Sequence, residues 1–387
     1  MRCATTFSLD SERPLSFFSS AATGWFGEPA LRIEDASGAE IVFVPKACEV
    51  DESSDTLTLT LTDEVSGLEA TIVHRKMAGG ALEISTALTN CGVQPVTVLS
   101  LASVMIPLPA DAREIVSWRG RHNAEFTECR EAMPWHGWQR VTRQGLTGHG
   151  GPPACVVLCG EAGWHRGTVF AVQLAWSGNS RIAIERCENA ACVLLAEAVL
   201  SAGEVVLQTG DTYEAPPVML AISDNGRNGA RAQQHAAVRE RLDWPSGAMP
   251  PRPVHLNSWE AVYFAQNEAR MIALVEAAAE LGVERFVLDD GWFAGRESDR
   301  AGLGDWTPDP VKYPNGLEPL AKRVEALGMQ FGIWVEPEMV NPDSDLYRAH
   351  PDWLLALKGR EQPTARHQLV LDMRRADVRD YLFDCLD

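Results

Sequence analysis

The pattern of apolar residues changes at one proline-rich segment, "PSGAMPPRP". Before it, residues 1–222 alternate polar and apolar positions in short stretches such as "TLTLTLTDEVSGLEATIVHRKM", which are separated by turns rich in Gly, Ser and Asn. Strict alternation is typical of strands with one buried face, and many short strands of this kind predict an antiparallel β-sandwich. Residues 223–252 are predicted to form a helix and a linker that the prolines break.

From residue 253 onward the pattern becomes strand, loop and helix in repetition, beginning at "VHLNSW", "RFVLDDGWF", "QFGIWVEPEMV" and "HQLVLDM". Such repetition predicts a parallel sheet. Polar and aromatic residues cluster at the C-terminal end of each predicted strand, and a (β/α)8 TIM barrel would gather those ends into one pocket. No glycine-rich phosphate motif follows any strand, which argues against a dinucleotide-binding sheet.

The length of the second region conflicts with a complete barrel. A TIM barrel takes roughly 250 residues, whereas 253–387 holds 135. We therefore expect this region to be the first four βα units of a truncated barrel, and the chain to be a fragment.

Charge and hydropathy restrict the partners. A net charge of −19 and a pI near 4.9 disfavour nucleic acid and anionic membrane surfaces, because both would be repelled. The first residues, "MRCATTFSLDSERPLSFF", lack an apolar run of signal length, and no 18-residue apolar stretch occurs in the sequence. We expect a cytoplasmic protein that binds a neutral small molecule and has no nucleic-acid or membrane partner.

The cysteines do not indicate a cofactor. There are nine, including Cys3 and Cys187, and none forms a CxxC pair. Cys155 and Cys159 in "ACVVLCG" are interpreted as buried strand thiols rather than zinc ligands. We expect no metal and no cofactor.

Two adjacent carboxylates, Asp289 and Asp290, end the apolar strand in "FVLDDGWF". Neighbouring side chains of a strand point to opposite faces, so the two cannot face each other across a scissile bond. Buried carboxylates need polar partners. The pair is better suited to accepting hydrogen bonds from two different hydroxyl groups.

The other acids leave several interpretations open. Glu336 and Glu338 lie roughly 6.6 Å apart by strand rise, which an inverting glycosidase would accept, but both lie on one wall, so orientation of other groups or pairing with Arg or Lys is favoured. The clustered acids could also hold a hard cation, although His ligands are absent and indoles abundant. Asp372 has two interpretations, as a site residue or as a partner of Arg374 or Arg375.

Three tryptophans, Trp259, Trp292 and Trp334, each follow a predicted barrel strand beside an acid. An indole offers a flat apolar face on which a sugar ring can pack. The other tryptophans, among them Trp25 in the first region, are interpreted as core or interface residues.

A family resemblance adds to this interpretation. The segments "LNSWEAVYF", "LGVERFVLDDGWF", "GLGDWTPDPVKYPNGLEPLAKRVEALGMQFGIWVEPEMVNPDSDLYRAHPDW" and "LVLDMRRADVRDYL" closely resemble the α-galactosidases of glycoside hydrolase family 36, and "WSGNS" and "GHG" extend the resemblance into the first region. The resemblance implies that Asp289 and Asp290 bind the 4- and 6-hydroxyls of galactose. It further implies that Trp334 forms an apolar wall, that Arg375 supports the ring, and that Trp259 lines the pocket.

The same resemblance implies a retaining hydrolase that needs no cofactor, acts on melibiose- or raffinose-type oligosaccharides and forms homo-oligomers. Its nucleophile would belong to a "KWDMN"-like motif on the fifth barrel strand and its acid/base to the sixth, but no "KWD" occurs here. We therefore name no catalytic residue and expect this chain to be inactive as given, with both groups beyond Asp387. The alternatives are a non-catalytic galactoside-binding protein and a related N-acetylgalactosaminidase or transglycosylase.

Overall fold

The computed structural model of the protein describes residues 18–19, 27–186 and 192–387. Cys3, Trp25 and Cys187 lie outside these residues. The chain divides into two compact units, Met1–Pro245 and Ser246–Asp387. The division falls inside the segment 223–252 that the sequence assigns to a helix and a linker.

The alternating segments of the first unit form antiparallel strands. The described strands are β1 (Leu31–Glu34), β2 (Glu40–Ile41), β3 (Ala47–Glu52), β4 (Thr56–Asp63), β5 (Leu68–Lys76), β6 (Leu82–Asn90), β7 (Val96–Leu108), β8 (Ala112–Arg119), β9 (Thr127–Ala132), β10 (Trp138–Thr142), β11 (Ala154–Cys159), β12 (Val169–Leu174), β13 (Ser180–Arg186), β14 (Cys192–Ala198), β15 (Val205–Leu207), β16 (Thr212–Glu214) and β17 (Val218–Ser223).

These strands pair into two sheets. One has the order β10-β13-β14-β7-β1-β2, with β15 also on β7. The other has the order β3-β4-β5-β6-β17-β12-β11-β8-β9, with β16 also on β6. Side chains of both sheets, such as Ile106 and Ile184 from the first and Leu88 and Val157 from the second, are buried in one shared core. The predicted sandwich is confirmed, because the apolar face of each sheet is covered by that of the other.

One helix, α1 (Gly226–Arg241), completes the first unit. Its Ala230 packs with Ala221 of β17, so the helix covers part of the ten-stranded sheet's outer face. The buried Arg227 forms a two-pronged ion pair with Glu128, at 3.0 and 2.6 Å. The small alanine side chains allow the helix to lie close to the sheet.

The second unit alternates strands and helices. Its elements are β18 (His255–Asn257), α2 (Trp259–Val262), α3 (Glu268–Glu280), β19 (Arg285–Leu288), α4 (Glu318–Ala326), β20 (Gln330–Ile333), β21 (Met339–Val340), α5 (Asp345–Ala349), β22 (Leu369–Val370) and α6 (Ala376–Leu386). Strands β18, β19 and β20 are parallel, with Phe286 paired to Leu256 on one side and Phe331 on the other. This is the beginning of a TIM barrel, as the sequence predicts.

The predicted fourth parallel strand is wrong. The "LVLDM" segment contributes only β22, which pairs antiparallel with β21 through Met339–Val370 and Val340–Leu369. A short apolar run does not specify its partner. Here the antiparallel pairing buries Val340 and Leu369 in the core of the second unit. The described parallel strands therefore number three instead of four.

Helix α3 shows how the local sequence sets the boundaries that shape the unit. Asn267 caps its N-terminus by accepting a hydrogen bond from the Arg270 N–H at 2.9 Å. Just beyond its C-terminus, Gly282 has φ +80°, a left-handed conformation that ends helices at low cost. Between these ends, Met271 and Val275 are fully buried and face the core with Phe286 of β19. In the described parts of both units, no helix is long and apolar enough to span a bilayer.

Candidate functional site

Strand β19 ends directly in the two adjacent carboxylates. Asp289 is 9% and Asp290 3% exposed. The side chain of Asp289 is fixed from the neighbouring strand end, since Asn257 Nδ2 donates to its Oδ2. Its backbone N–H donates to Ser258 Oγ at 2.9 Å, and its Oδ1 accepts from the Asp290 N–H at 2.7 Å. The position of Asp289 is thus set by the ends of two parallel strands.

Asp290 is held by a buried arginine. Arg296 is 0% exposed, and its Nε and Nη2 donate to the two carboxylate oxygens of Asp290 at 2.8 Å each. Its remaining Nη1 donates to Ala301 O at 3.0 Å and Asn341 Oδ1 at 2.9 Å. A two-pronged arginine pair fixes the plane of the carboxylate and compensates for its removal from water. The sequence indicated only that some polar partner was needed, since nothing in it marked Arg296.

The backbone around the carboxylates is fixed by a second buried network. Gln266 Nε2 donates to Asp290 O at 2.6 Å, and Tyr313 OH donates to Gln266 Oε1 at 2.6 Å. The ammonium of the buried Lys312 donates to Gly291 O at 3.0 Å. Gly291 has φ +109°, and a Cβ there would lie 2.9 Å from Gln266 Nε2. Only glycine allows this approach, which explains the glycine after the two acids.

Aromatic rings pack beside the carboxylates. The Trp292 indole N–H donates to Trp334 O at 2.9 Å, and the rings of Trp306 and Trp334 lie 6.3 Å apart. Trp292 and Trp306 are 4% and 6% exposed, so they belong to the core, whereas Trp334 is partly exposed. Of the three predicted platforms, Trp292 therefore has almost no free face. Trp306, which the sequence analysis did not single out, packs against Trp334.

Trp259 is connected to Asp289 through one side chain. It begins α2, and its backbone N–H donates to Asn257 Oδ1 at 2.8 Å, while Asn257 Nδ2 bonds to Asp289. The rings of Tyr263 and Phe264 contact its indole edge-on, each at 5.1 Å. These contacts orient a partly exposed indole next to the carboxylates.

The remaining predicted residue, Arg375, lies at the start of α6. Its guanidinium pairs with Asp377 at 2.7 Å and with Asp352 at 3.3 Å. None of its described contacts joins it to Asp289 or Asp290. The pairing of Asp372 is clearer, because Arg374 binds both of its oxygens at 2.8 Å and lowers the pKa of that carboxyl to about 2. Of its two interpretations, Asp372 is therefore the ion-pair partner of Arg374.

The two glutamates after β20 differ in environment. Glu336 is partly buried and Glu338 exposed. Burial raises the pKa of the Glu336 carboxyl above its usual range, and the charges of Glu338 and Asp290 raise it further, whereas Arg366 opposes the shift. Arg366 itself has φ +53°, which is unusual for a residue other than glycine. It is a second cation beside the acids that sequence reasoning missed.

This arrangement provides rigid acceptors beside an apolar surface. Each carboxylate oxygen has more than one lone-pair position, so a bound oxygen can still accept a bond from a ligand hydroxyl. The partners of Asp289 and Asp290 are already in place, and a ligand would therefore meet pre-oriented groups. Such a site is suited to a neutral, hydroxyl-rich molecule with one flat apolar face.

Comparison with known proteins agrees with this geometry. The model of the glycosyl hydrolase family 36 N-terminal domain matches residues 3–208, and the Melibiase model matches residues 212–387. The chain belongs to glycoside hydrolase family 36. The resemblance inferred from the sequence is confirmed.

Relatives within the family are α-galactosidases. The α-galactosidase of Escherichia coli is 39% identical over 376 residues, which are 97% of this chain and 52% of the relative. Alpha-galactosidase AgaA of Geobacillus stearothermophilus is 35% identical over 345 residues, covering 87% of this chain and 46% of the relative. This chain thus spans about half the length of the family 36 relatives that it matches.

Solved family 36 structures have the same fold over that half. A variant of AgaA in complex with raffinose superposes with a TM-score of 0.87 at 32% identity, covering 98% of this chain and 55% of the other. The galactosidase domain of the α-galactosidase–sucrose kinase AgaSK gives 0.88 at 30% identity, covering 98% and 55%. A β-sandwich followed by part of a TIM barrel is therefore the family arrangement in this region.

Proposed function

We propose that the whole protein is a retaining α-galactosidase that releases terminal α-galactose from oligosaccharides. One observation supports this most directly: two adjacent, buried carboxylates at the end of β19 are held rigid by Asn257 and Arg296 beside a partly exposed indole. The solved AgaA complexes with raffinose and stachyose add support for the substrate class.

In this proposal the chain supplies sugar binding, and Asp289 and Asp290 each accept a bond from a different hydroxyl of galactose. Trp334 packs against the apolar face of the ring, and Trp259 borders the pocket. Arg375 supports the ring, as the resemblance to the family implies. The nucleophile and the acid/base belong to a part of the protein that this chain does not include. Because three parallel strands precede α6, we place the nucleophile on the fourth barrel strand, one earlier than the sequence-based count.

The test compares this 387-residue chain with a longer product of the same gene that has the full length of its relatives. We expect the longer product to release galactose from raffinose, with the α-anomer formed first in proton NMR spectra, and this chain to release none. Inversion at the anomeric carbon, or absence of galactose release by the longer product, would contradict the proposal.

A second candidate, galactoside binding without hydrolysis, is favoured for this chain by itself, because the carboxylates and the indoles are all present in it. Isothermal titration with galactose tests it. We expect Asp289→Asn to weaken binding at least about tenfold, since a hydrogen bond to a charged group contributes about 1.5–3 kcal/mol. The control is Asp345→Asn, because the Asp345 side chain is exposed, and it should bind galactose like the parent chain. Asp309→Asn is unsuitable as a control, because the Asp309 side chain accepts hydrogen bonds within a buried turn. Equal affinity in Asp289→Asn and the parent chain would exclude this role for Asp289.

We further propose that the whole protein forms homo-oligomers in the cytoplasm. The proposal rests on the family resemblance, and the first unit has exposed large aromatic side chains that an assembly would cover, including Trp135 at 71% and Phe126 at 68%. Analytical ultracentrifugation of the longer product and cell fractionation test the two parts of this proposal separately.

A further inference from the structure

Two histidines and a glutamate meet on the first unit, far in sequence from the carboxylates of the second. His122 and Glu125 lie in the turn between β8 and β9, and His149 lies in the loop before β11. One ligand atom of each residue lies within 4.8 Å of those of the other two. His149 Nδ1 and Glu125 Oε1 are 3.4 Å apart, and the two imidazole rings are 5.5 Å apart. We propose that these three side chains bind one zinc ion.

The backbone brings the two loops together at a glycine. A Cβ added to Gly120 would lie 2.6 Å from Glu125 Cα and 2.8 Å from His149 O, so only glycine permits this approach. Arg140 then ties the loop of His149 to the sheet. Its Nη1 donates to Trp118 O at 2.9 Å, and its Nη2 donates to Gly150 O. The three ligands are therefore held near one another by contacts that do not involve the ligand atoms.

The glutamate is also oriented before any metal binds. The Asn123 N–H donates to Glu125 Oε1 at 2.9 Å. This bond holds the carboxylate within the turn that also carries His122.

The chemistry of the three donors selects the ion. Two imidazoles and a carboxylate suit Zn²⁺ and other late first-row divalent ions, whereas Ca²⁺ and Mg²⁺ prefer sites made of oxygen alone. With Zn–N and Zn–O bonds near 2.1 Å, tetrahedral ligands are separated by about 3.4 Å, which the His149–Glu125 pair already satisfies. His122 lies within 4.8 Å of the other two ligand atoms, so it needs to move by no more than about 1.4 Å, which is within the reach of an exposed side chain. A fourth position stays open for water or a donor from another molecule.

The experiment is a calorimetric titration of this chain with Zn²⁺ after removal of metals by a chelator, together with thermal unfolding in the presence and absence of Zn²⁺. We expect one zinc per chain and a rise in the unfolding temperature. His122→Ala and His149→Ala should each weaken binding at least about tenfold, as even changes in residues behind metal ligands cost about 10–100-fold. Glu125→Gln, which keeps an oxygen for the Asn123 N–H, should weaken it as well.

Matched controls separate this site from other donors. His165→Ala removes an exposed histidine that contacts Asn228 elsewhere on the first unit, and Cys91→Ser removes an exposed thiol. Both should bind zinc like the parent chain. The proposal is overturned if no zinc binds at micromolar concentration, if both histidine variants bind as well as the parent, or if Cys91→Ser abolishes binding. Should either histidine variant fail to fold, Glu125→Gln provides the deciding comparison.

Discussion

The two units bury their charged groups in different ways. In the first unit the buried charges lie at separate positions on different strands and on the helix. Glu197 lies near the end of β14 with Arg181 at 3.0 Å, and Arg227 lies at the start of α1. Glu197 and Arg181 link neighbouring strands and Arg227 links the helix to Glu128 of the sheet, and the two links share no residue.

In the second unit the buried charges are concentrated after a single strand. Asp289, Asp290, Arg296, Asp309 and Lys312 are all buried and fall within 24 residues after β19. Their partners connect into one network instead of separate pairs. Folding alone does not require buried charged side chains to lie together, because the cost of removing each from water can be compensated by its own partner. The contrast indicates that the end of β19 is organised for binding and that the sandwich core is organised for packing.

The largest expected effect is the loss of the cation in the network. Arg296→Met leaves Asp290 buried without its partner, and we expect the free energy of unfolding to fall by about 3–5 kcal/mol. Urea unfolding followed by tryptophan fluorescence measures it. The control is Arg285→Met, because Arg285 is more exposed and bonds only the side chain of Gln330. Equal effects of the two changes would show that the buried network after β19 contributes no more to stability than a more exposed arginine of the same unit.

Next in size is a pH effect confined to the first unit. Burial raises the pKa of the Glu197 carboxyl from 4.5 to about 7, with Glu28 adding to the shift and Arg181 opposing it. At pH values between these two pKa values, the folded state keeps a proton that the unfolded state has released. The free energy of unfolding therefore falls with rising pH, by up to about 1.4 kcal/mol per pH unit.

Glu197→Gln should flatten this dependence between pH 4.5 and 7, as measured by urea midpoints at several pH values. Glu114→Gln is the control, because Arg130 lowers the pKa of Glu114 and its contribution is lost only at lower pH. If Glu197→Gln keeps the slope of the parent chain, the carboxyl of Glu197 is not the group that titrates.

A smaller effect is expected from the hydroxyl of Tyr313. Tyr313→Phe leaves Gln266 Oε1 buried without its donor, and we expect a loss of about 1–3 kcal/mol. Tyr263→Phe removes a hydroxyl that bonds Glu260 at an exposed position, and this control should cost far less. Thermal and urea unfolding of both variants measure the difference. A negligible loss of unfolding free energy in Tyr313→Phe would mean that water reaches Gln266 Oε1 and replaces the hydroxyl.

The smallest effect should come from a surface ion pair of the first unit. Arg32 and Glu40 lie 3.3 Å apart, with 43% and 52% of their side chains exposed. Exposed pairs contribute about 0–1 kcal/mol, so Glu40→Gln should change stability by less than about 0.5 kcal/mol. A larger loss in urea unfolding would show that exposure alone does not separate this pair from Asp290–Arg296.

Much of the architecture follows from local pattern. The alternation of "TLTLTLTD" and its neighbours predicts strands with one buried face, and the proline-rich linker separates them from the βα units. The run around Leu369 pairs antiparallel with β21 and does not form the predicted fourth parallel strand, because two or three apolar residues can pair with any available edge. Helix α1 could be located by its pattern, but its packing on the ten-stranded sheet could not be predicted.

The amino-acid sequence alone determined the two kinds of fold, the placement of Asp289 and Asp290 at a strand end, and their need for polar partners. These follow from side-chain periodicity and from the cost of burying charge, both of which are local properties. Only the tertiary structure decided which partners these are, that Trp292 is buried while Trp334 is partly exposed, and that His149 meets His122 and Glu125. Such contacts join residues distant in the chain, and their distances depend on how whole strands and loops pack together, which no local pattern records.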